Sequence, residues 1–198
     1  MNLPNTLTVF RIALTPIFIY LLFSVSLYSN FYALFIFILA SATDAFDGYY
    51  ARKYNIETEI GNFLDPLADK ILVSSAFISF YLLGLIDAWM VAIILLRDIF
   101  ITCLRMYMKN NGQSLRTSRL AKSKTALQLI LIIFILVFLA IEDKGAINFS
   151  FATSFILKHN IVYNSTFIVS IFTFYTGFRY IQNNYDLLKK IVLNENSI

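Results

Sequence analysis

Charge is scarce in this chain. Only 14% of its 198 residues are Asp, Glu, Lys or Arg, against about 25% in an ordinary soluble domain. Hydrophobic residues make up 59%, more than a soluble domain of this length can hide, so the composition excludes that class and points to a polytopic membrane protein. Cysteine is nearly absent. The single Cys103 lies in an apolar helical run, which excludes an intrachain disulfide framework and a cysteine-based metal site and leaves the redox compartment open. A cleavable signal peptide is not visible either. Residues 1–11 are amphipathic, and the apolar run after them lacks a small-residue cleavage site. The net charge of +4 is explained by where basic residues fall around a bilayer and gives no reason to invoke nucleic acid.

What is there reads as helices that cross a membrane. Residues 12–43 carry no charge, with Tyr28-Ser29-Asn30 as a turn between two antiparallel spans. The expected spans are about 12–28, 31–52, 61–84, 88–108, 119–141 and 160–182, each near the ~20 residues a crossing needs. The expected fold is therefore all-α and polytopic: a single domain over 1–198 with six transmembrane helices in 12–182, preceded by an N-terminal amphipathic surface helix over 1–11 and followed by a cytoplasmic tail over 183–198. In that surface helix Leu3, Leu7 and Phe10 share one flank. Arg11, Arg52, Lys53, Lys109, Arg116, Arg119, Lys122, Lys124, Arg179, Lys189 and Lys190 fall on one side of this arrangement, and only Lys144 and Lys158 on the other. The excess of basic residues marks the cytoplasmic side, so both termini are expected there. The frequent Phe and Tyr suit lipid-facing and interfacial positions.

Against this apolar background stand four aspartates, Asp44, Asp47, Asp65 and Asp69. An ionisable side chain in a span costs at least ~2.5 kcal/mol, and so needs a partner or a function. Four carboxylates cannot partner one another; a divalent cation is the simplest collector. Asp44, Asp47, Gly48 and Ala51 are spaced to share one helix face. Asp65 and Asp69 are one turn apart, with Pro66 in a first turn that needs no amide donor from it. The link Lys53–Ile60 has the length to fold the two helices into a hairpin with all four carboxylates near the cytoplasmic lipid–water boundary. Carboxylate oxygens suit Mg2+ or Mn2+, and four could hold two ions, an arrangement fitted to in-line displacement at phosphorus. Gly48 and Ala51 either admit a ligand close to the backbone or simply let helices touch.

The frame Asp44-x2-Asp47-Gly48-x2-Ala51-Arg52-x8-Gly61-x3-Asp65-x3-Asp69 resembles the complete signature of the CDP-alcohol phosphotransferase family. The resemblance implies six membrane helices, a homodimer, and displacement of CMP from a CDP-linked donor by an alcohol. Position by position it implies that Asp44, Asp47, Asp65 and Asp69 bind two divalent ions and that Asp69 also takes the proton from the attacking hydroxyl. Gly48, Ala51 and Arg52 would form the nucleotide site with Asp44 and Asp47.

Two further stretches are similar to the branch of that family that transfers a phosphatidyl group from CDP-diacylglycerol to glycerol 3-phosphate. One is Asn2-Leu3-Pro4-Asn5-Thr6-Leu7-Thr8-x2-Arg11 with Pro16. The other is Arg97-Asp98-x2-Ile101-Thr102-x-Leu104-Arg105 together with Lys122-x-Lys124-Thr125 and Gln128. Ala121 departs from the glycine expected before the first lysine. Charge points the same way. Glycerol 3-phosphate is a dianion, and Arg105, Lys122, Lys124 and Thr125 offer donors for its phosphate, arginine being able to grip two oxygens. The plainer alternative makes Arg116, Arg119, Lys122 and Lys124 topology signals or contacts to anionic lipid heads; it is preferred for the two arginines, and the substrate role for the two lysines. Arg97 falls near mid-membrane, where it needs a partner. Asp98 is adjacent, but helix neighbours point some 100° apart, so an ion pair to another helix stands beside a substrate role. Arg179 either completes the phosphate pocket or anchors the interface. His159 is expected in a solvated loop, and Glu57 and Glu59 are expected to be exposed.

Two rivals are weighed. A transferase of the same family could use serine, inositol phosphate or phosphatidylglycerol as acceptor; the basic set disfavours uncharged serine. A small cation transporter would use the aspartates as an ion path, but all four lie near one interface and no inverted repeat suggests alternating access.

Overall fold

The computed structural model describes residues 3–26, 28–54, 59–110, 119–142 and 150–185; within its helices the side chains of 3–7, 44–54, 59–67, 69, 109–110, 119, 121 and 150 lie outside the described set. Every regular element among these residues is an α-helix: α1 Leu3–Phe23, α2 Ser29–Tyr54, α3 Glu59–Leu82, α4 Ala88–Asn110, α5 Arg119–Glu142, α6 Ser150–Lys158 and α7 Ile161–Asn183. Two of them, over Lys122–Glu142 and Ile161–Asn183, are long and apolar enough to cross a membrane by length and composition. The apolar helical stretches Thr8–Phe23, Ser29–Thr43 and Lys70–Leu82 are shorter.

Three boundaries differ from the sequence expectation. A separate surface helix over 1–11 is not found: α1 is one helix from Leu3 to Phe23 that carries Pro16 inside it, and Pro4 falls in the first turn, where no amide donor is required. Thr8 and Arg11 are buried in the fold (0% and 1% exposed), so Arg11 is an interior residue and not only a basic flank. The first apolar helix also stops at Phe23, not near residue 28. Ser24 and Val25 leave the helix, and Tyr28 adopts a left-handed φ of 70°. Ser29 then closes the connection by donating its hydroxyl to the Ser24 carbonyl at 2.8 Å. Finally, the short helix α6 was not anticipated.

The end of α3 follows the sequence closely. Gly84 has φ 73°; its N–H bonds to the Tyr81 carbonyl at 2.9 Å and the Leu85 N–H to Phe80 at 3.0 Å. This is the Schellman pattern, in which a left-handed glycine satisfies the last carbonyls of a helix. Just beyond it, the Asp87 carboxylate accepts hydrogen bonds from Trp89 Nε1 (3.1 Å) and Tyr163 Oη (2.9 Å). That pins the α3–α4 turn to the start of α7 with the kind of aromatic side chains enriched at a membrane boundary.

Most of the buried apolar side chains among the described residues form one cluster. Leu14, Phe18 and Leu22 of α1 meet Ala33 and Phe37 of α2, Ala76, Phe77 and Phe80 of α3, Met90 and Ile94 of α4, and Ile132, Ile135 and Leu136 of α5. Their spacings of three and four residues place them on single helix faces. The alanines allow close approach, and Phe18 and Phe37 interlock with ring centroids 5.6 Å apart. The outer faces are apolar too. Helix α7 shows this most clearly. It buries Thr166, Ser170, Thr173, Thr176 and Gly177, and exposes Phe167, Ile168, Ile171, Phe174 and Phe178. Small residues inward and large apolar ones outward is the arrangement that suits helix packing in lipid. The buried hydroxyls of Thr166, Ser170 and Thr176 donate to carbonyls three or four residues back at 2.8 Å, which spares them other partners.

Candidate active site

The helical backbone runs through every position of the acidic frame: Asp44, Asp47, Gly48, Ala51 and Arg52 on α2, and Gly61, Asp65 and Asp69 on α3. Their side chains lie outside the described residues. So do those of Arg116, Arg119, Glu57, Glu59, Lys144, Lys189 and Lys190. Among the described residues no three His, Cys, Asp or Glu side chains lie together as a metal site. The donor chemistry of the aspartates, hard carboxylate oxygens only, fits Mg2+ or Mn2+.

Immediately after Asp69 the described structure resumes with charge. Lys70 of α3, which the sequence reading passed over, reaches within 4.0 Å of the Asp98 carboxylate on α4. Asp98 is buried (2% exposed) and gathers two more cations. Lys124 of α5, with no exposed surface, places Nζ 2.5 Å from both carboxylate oxygens. Arg97 donates through Nη1 to Oδ1 at 3.1 Å. A buried carboxylate is tolerable only when paired in this way. The expectation that the adjacent Arg97 and Asp98 make poor partners is therefore corrected. The directions of the two Cα–Cβ bonds do diverge, but the arginine stem is long enough to bend back along α4. Gly177 makes room for that stem: a Cβ there would sit 2.9 Å from Arg97 Cγ. Nε and Nη2 of Arg97 find no hydrogen-bond acceptor among the described residues.

The other basic positions separate by access. Lys122 is exposed and Thr125 half-buried at the start of α5. Arg105 is exposed and lies over the Tyr180 ring at 5.8 Å, a cation–π contact that holds the guanidinium against α7. Tyr180 is itself buried against Ile101 and Met108. Arg179 donates from Nε to the Tyr175 hydroxyl one turn back, at 3.1 Å. Gln128, a turn beyond Lys124, is buried. His159 is exposed as expected, with its ring 4.5 Å from that of Phe155. A cleft of about 430 Å³ opens between α4 and α7, lined by Leu96, Arg97, Phe100, Phe174, Gly177 and Phe178; it is almost wholly apolar and contains no carboxylate.

The structure thus brings Lys124 onto Asp98 beside Lys70, and leaves Arg105 and Lys122 open. The hub residue, Asp98, was in view in the sequence as part of the Arg97-Asp98-x2-Ile101 stretch and as a poor partner for Arg97, not as a centre for other cations. The signal that could have found its real partners is the general one: an ionisable residue within an apolar helix needs a counter-charge on a facing helix. Lys70 and Lys124 were the candidates.

A membrane protein whose regular elements among the described residues are all helices, with an acidic pair on each of two consecutive helices and Lys70 directly after the second pair, defines the class. A model of the CDP-alcohol phosphatidyltransferase family matches residues 1–175. The chain belongs to that family. Among its relatives, a Bacillus subtilis protein is 35% identical over 95% of this chain and 97% of its own length. A Rickettsia bellii protein is 40% identical over 73% of this chain and 78% of its own length. An Escherichia coli K12 protein is 37% identical over 68% and 76% respectively. Each of the three bears the name CDP-diacylglycerol–glycerol-3-phosphate 3-phosphatidyltransferase.

Proposed function

We propose that this protein transfers the phosphatidyl group of CDP-diacylglycerol to glycerol 3-phosphate, giving phosphatidylglycerophosphate and CMP. The observation that carries the reading is the Bacillus subtilis relative, which bears that activity in its name and aligns with nearly the whole chain. The intact acidic frame over 44–69 supports it.

In this reading Asp44, Asp47, Asp65 and Asp69 hold two divalent ions, Mg2+ or Mn2+. The ions when bound would neutralise the donor diphosphate and the charge on departing CMP. Gly48, Ala51 and Arg52 receive the cytidine nucleotide, with Asp44 and Asp47. Arg105, Lys122 and Thr125 meet the acceptor's phosphate from the open side, and Lys124 meets it from the buried side. Asp69 takes the proton of the acceptor's primary hydroxyl. That oxygen forms a bond to the lipid-linked phosphorus as the bond from phosphorus to the CMP oxygen breaks. The acyl chains stay between helices and lipid.

The same reading makes α1–α5 and α7 the six spans. They have 21, 26, 24, 23, 24 and 23 residues, and at ~1.5 Å per residue each matches a ~30 Å hydrocarbon core. The nine-residue α6 is too short to cross and lies at the far interface. The chain sits as a homodimer in the cytoplasmic membrane, with both termini and the aspartates on the cytoplasmic side.

The test is CMP release by purified protein given CDP-diacylglycerol and Mg2+, with glycerol 3-phosphate, serine or inositol phosphate as acceptor. Release that depends on glycerol 3-phosphate is expected. Release with another acceptor only would keep the acidic site but overturn the roles of Arg105, Lys122 and Lys124.

A further inference from the structure

The transfer reaction as read above uses Asp69 on α3 and Lys124 on α5, yet the group that touches both neighbourhoods belongs to neither helix. We propose that Asp98 of α4 is a positioning residue for the acceptor. It holds Lys124, and with it Lys70 next to Asp69, so that the cation that meets the acceptor's phosphate keeps a fixed distance from the carboxylate that takes its proton. The inference rests on the functional reading of the preceding subsection and adds a residue to which that reading gives no role.

The geometry supplies the reasons. A lysine ammonium is a compact charge on a flexible stem with three N–H donors. Two of those on Lys124 are committed to the two oxygens of Asp98, at 2.5 Å each, which fixes the stem and leaves one donor for a phosphate oxygen. Lys70 contacts the same carboxylate at 4.0 Å. It follows Asp69 directly on a continuous helix, so this contact limits rotation of α3 about its axis. Arg97 adds a third cation at 3.1 Å, its stem pressed to α7 at Gly177. One carboxylate therefore ties α3 and α5, and through Arg97 α7, to α4. Without its charge, Lys70 and Lys124 would repel each other, and the acceptor's phosphate would be held at varying distances from Asp69.

A merely structural pair would behave differently. Weakening it would lower the melting temperature or the yield of folded protein, while the folded fraction kept its KM values. The experiment compares the wild-type full-length protein with D98N, D98E and K70M, each taken as a monodisperse peak in detergent, in the CMP-release assay. D98E keeps the charge but moves it by one methylene. K70M alters a partly exposed rim residue, which guards against a D98N protein that fails to fold. The expected result is a KM for glycerol 3-phosphate raised at least tenfold in D98N and severalfold in D98E and K70M, with the KM for CDP-diacylglycerol within twofold of wild type. An unchanged KM for glycerol 3-phosphate in the variants that fold, beside an active wild type, overturns the positioning role alone. A wild type that releases no CMP in response to glycerol 3-phosphate overturns the functional reading and this inference with it.

Discussion

Gly177 is where a single added methyl group tests the helix packing most directly. Replacing a helical glycine by alanine normally favours the helix by about 1 kcal/mol. At this position the new Cβ would lie 2.9 Å from Arg97 Cγ, 3.7 Å from Nε and 3.9 Å from Cδ. Carbon atoms in contact prefer about 3.5–4.0 Å, so the Arg97 stem must retreat by roughly 0.6 Å at the least. It is not free to do so, because its tip is held 3.1 Å from Asp98, and Cγ lies close to the backbone where rotation gives little relief. Overfilling of this kind costs about 1–3 kcal/mol. Set against the propensity gain, Gly177→Ala is expected to be destabilising by up to about 2 kcal/mol, a fall in melting temperature of up to about 8 °C for a chain of this size. Thermal unfolding of the purified protein in detergent measures it. The same substitution in an Arg97→Ala background should cost nothing, since the atoms it collides with are gone; contacting residues are non-additive in this way. A Gly177→Ala protein that melts at or above the wild-type temperature, with no coupling to Arg97→Ala, would refute the close crossing of α4 and α7.

Three further outcomes are expected. Asp69→Asn should abolish CMP release while leaving the melting temperature near wild type, as should chelation of divalent cations, with Mg2+ or Mn2+ restoring turnover; normal activity in Asp69→Asn would remove its role as base. Phe77→Ala empties a fully buried site in the main cluster and should cost about 3–5 kcal/mol, seen as a large loss of melting temperature. In a Cys103→Ser background, a cysteine at Phe151, 84% exposed on α6, should react with a membrane-impermeant maleimide from outside intact cells; labelling only after lysis would reverse the proposed orientation.

The fold was legible wherever the reading rested on properties of the chain that no distant contact could override. Runs of apolar residues located the long helices, and a glycine free to adopt positive φ located the stop at Gly84. The absence of any charge from residue 12 to 43 required a turn in the middle, found at Tyr28. What the chain does not write locally is where a helix begins when both neighbours are helical. Residues 1–11 look amphipathic by themselves, but Thr8 and Arg11 are buried by α1's packing against the other helices. No property of the first eleven residues alone records that neighbour. Helix α6 escaped for a similar reason, since nine residues carry too little periodicity to stand out beside the longer helices.

The same division runs through the site. The aspartates over 44–69 stand out in the sequence because their spacing is itself the signal, though their side chains lie outside the described residues. Lys124 was visible as a cation but not as a buried one, because burial depends on Asp98, twenty-six residues away on another helix. Arg97 and Asp98 show why adjacency misleads. The angle between neighbouring Cα–Cβ bonds governs short side chains, whereas a stem of three methylenes reaches back over its own helix once a glycine on the facing helix leaves room. An aspartate buried among apolar residues must find cations, and an apolar helix that carries a lysine must face an anion; applied to Lys70, Asp98 and Lys124 together, those two demands have few joint solutions. The one adopted joins the helix of the proposed base to the helix of the proposed phosphate-binding lysine through a single buried carboxylate.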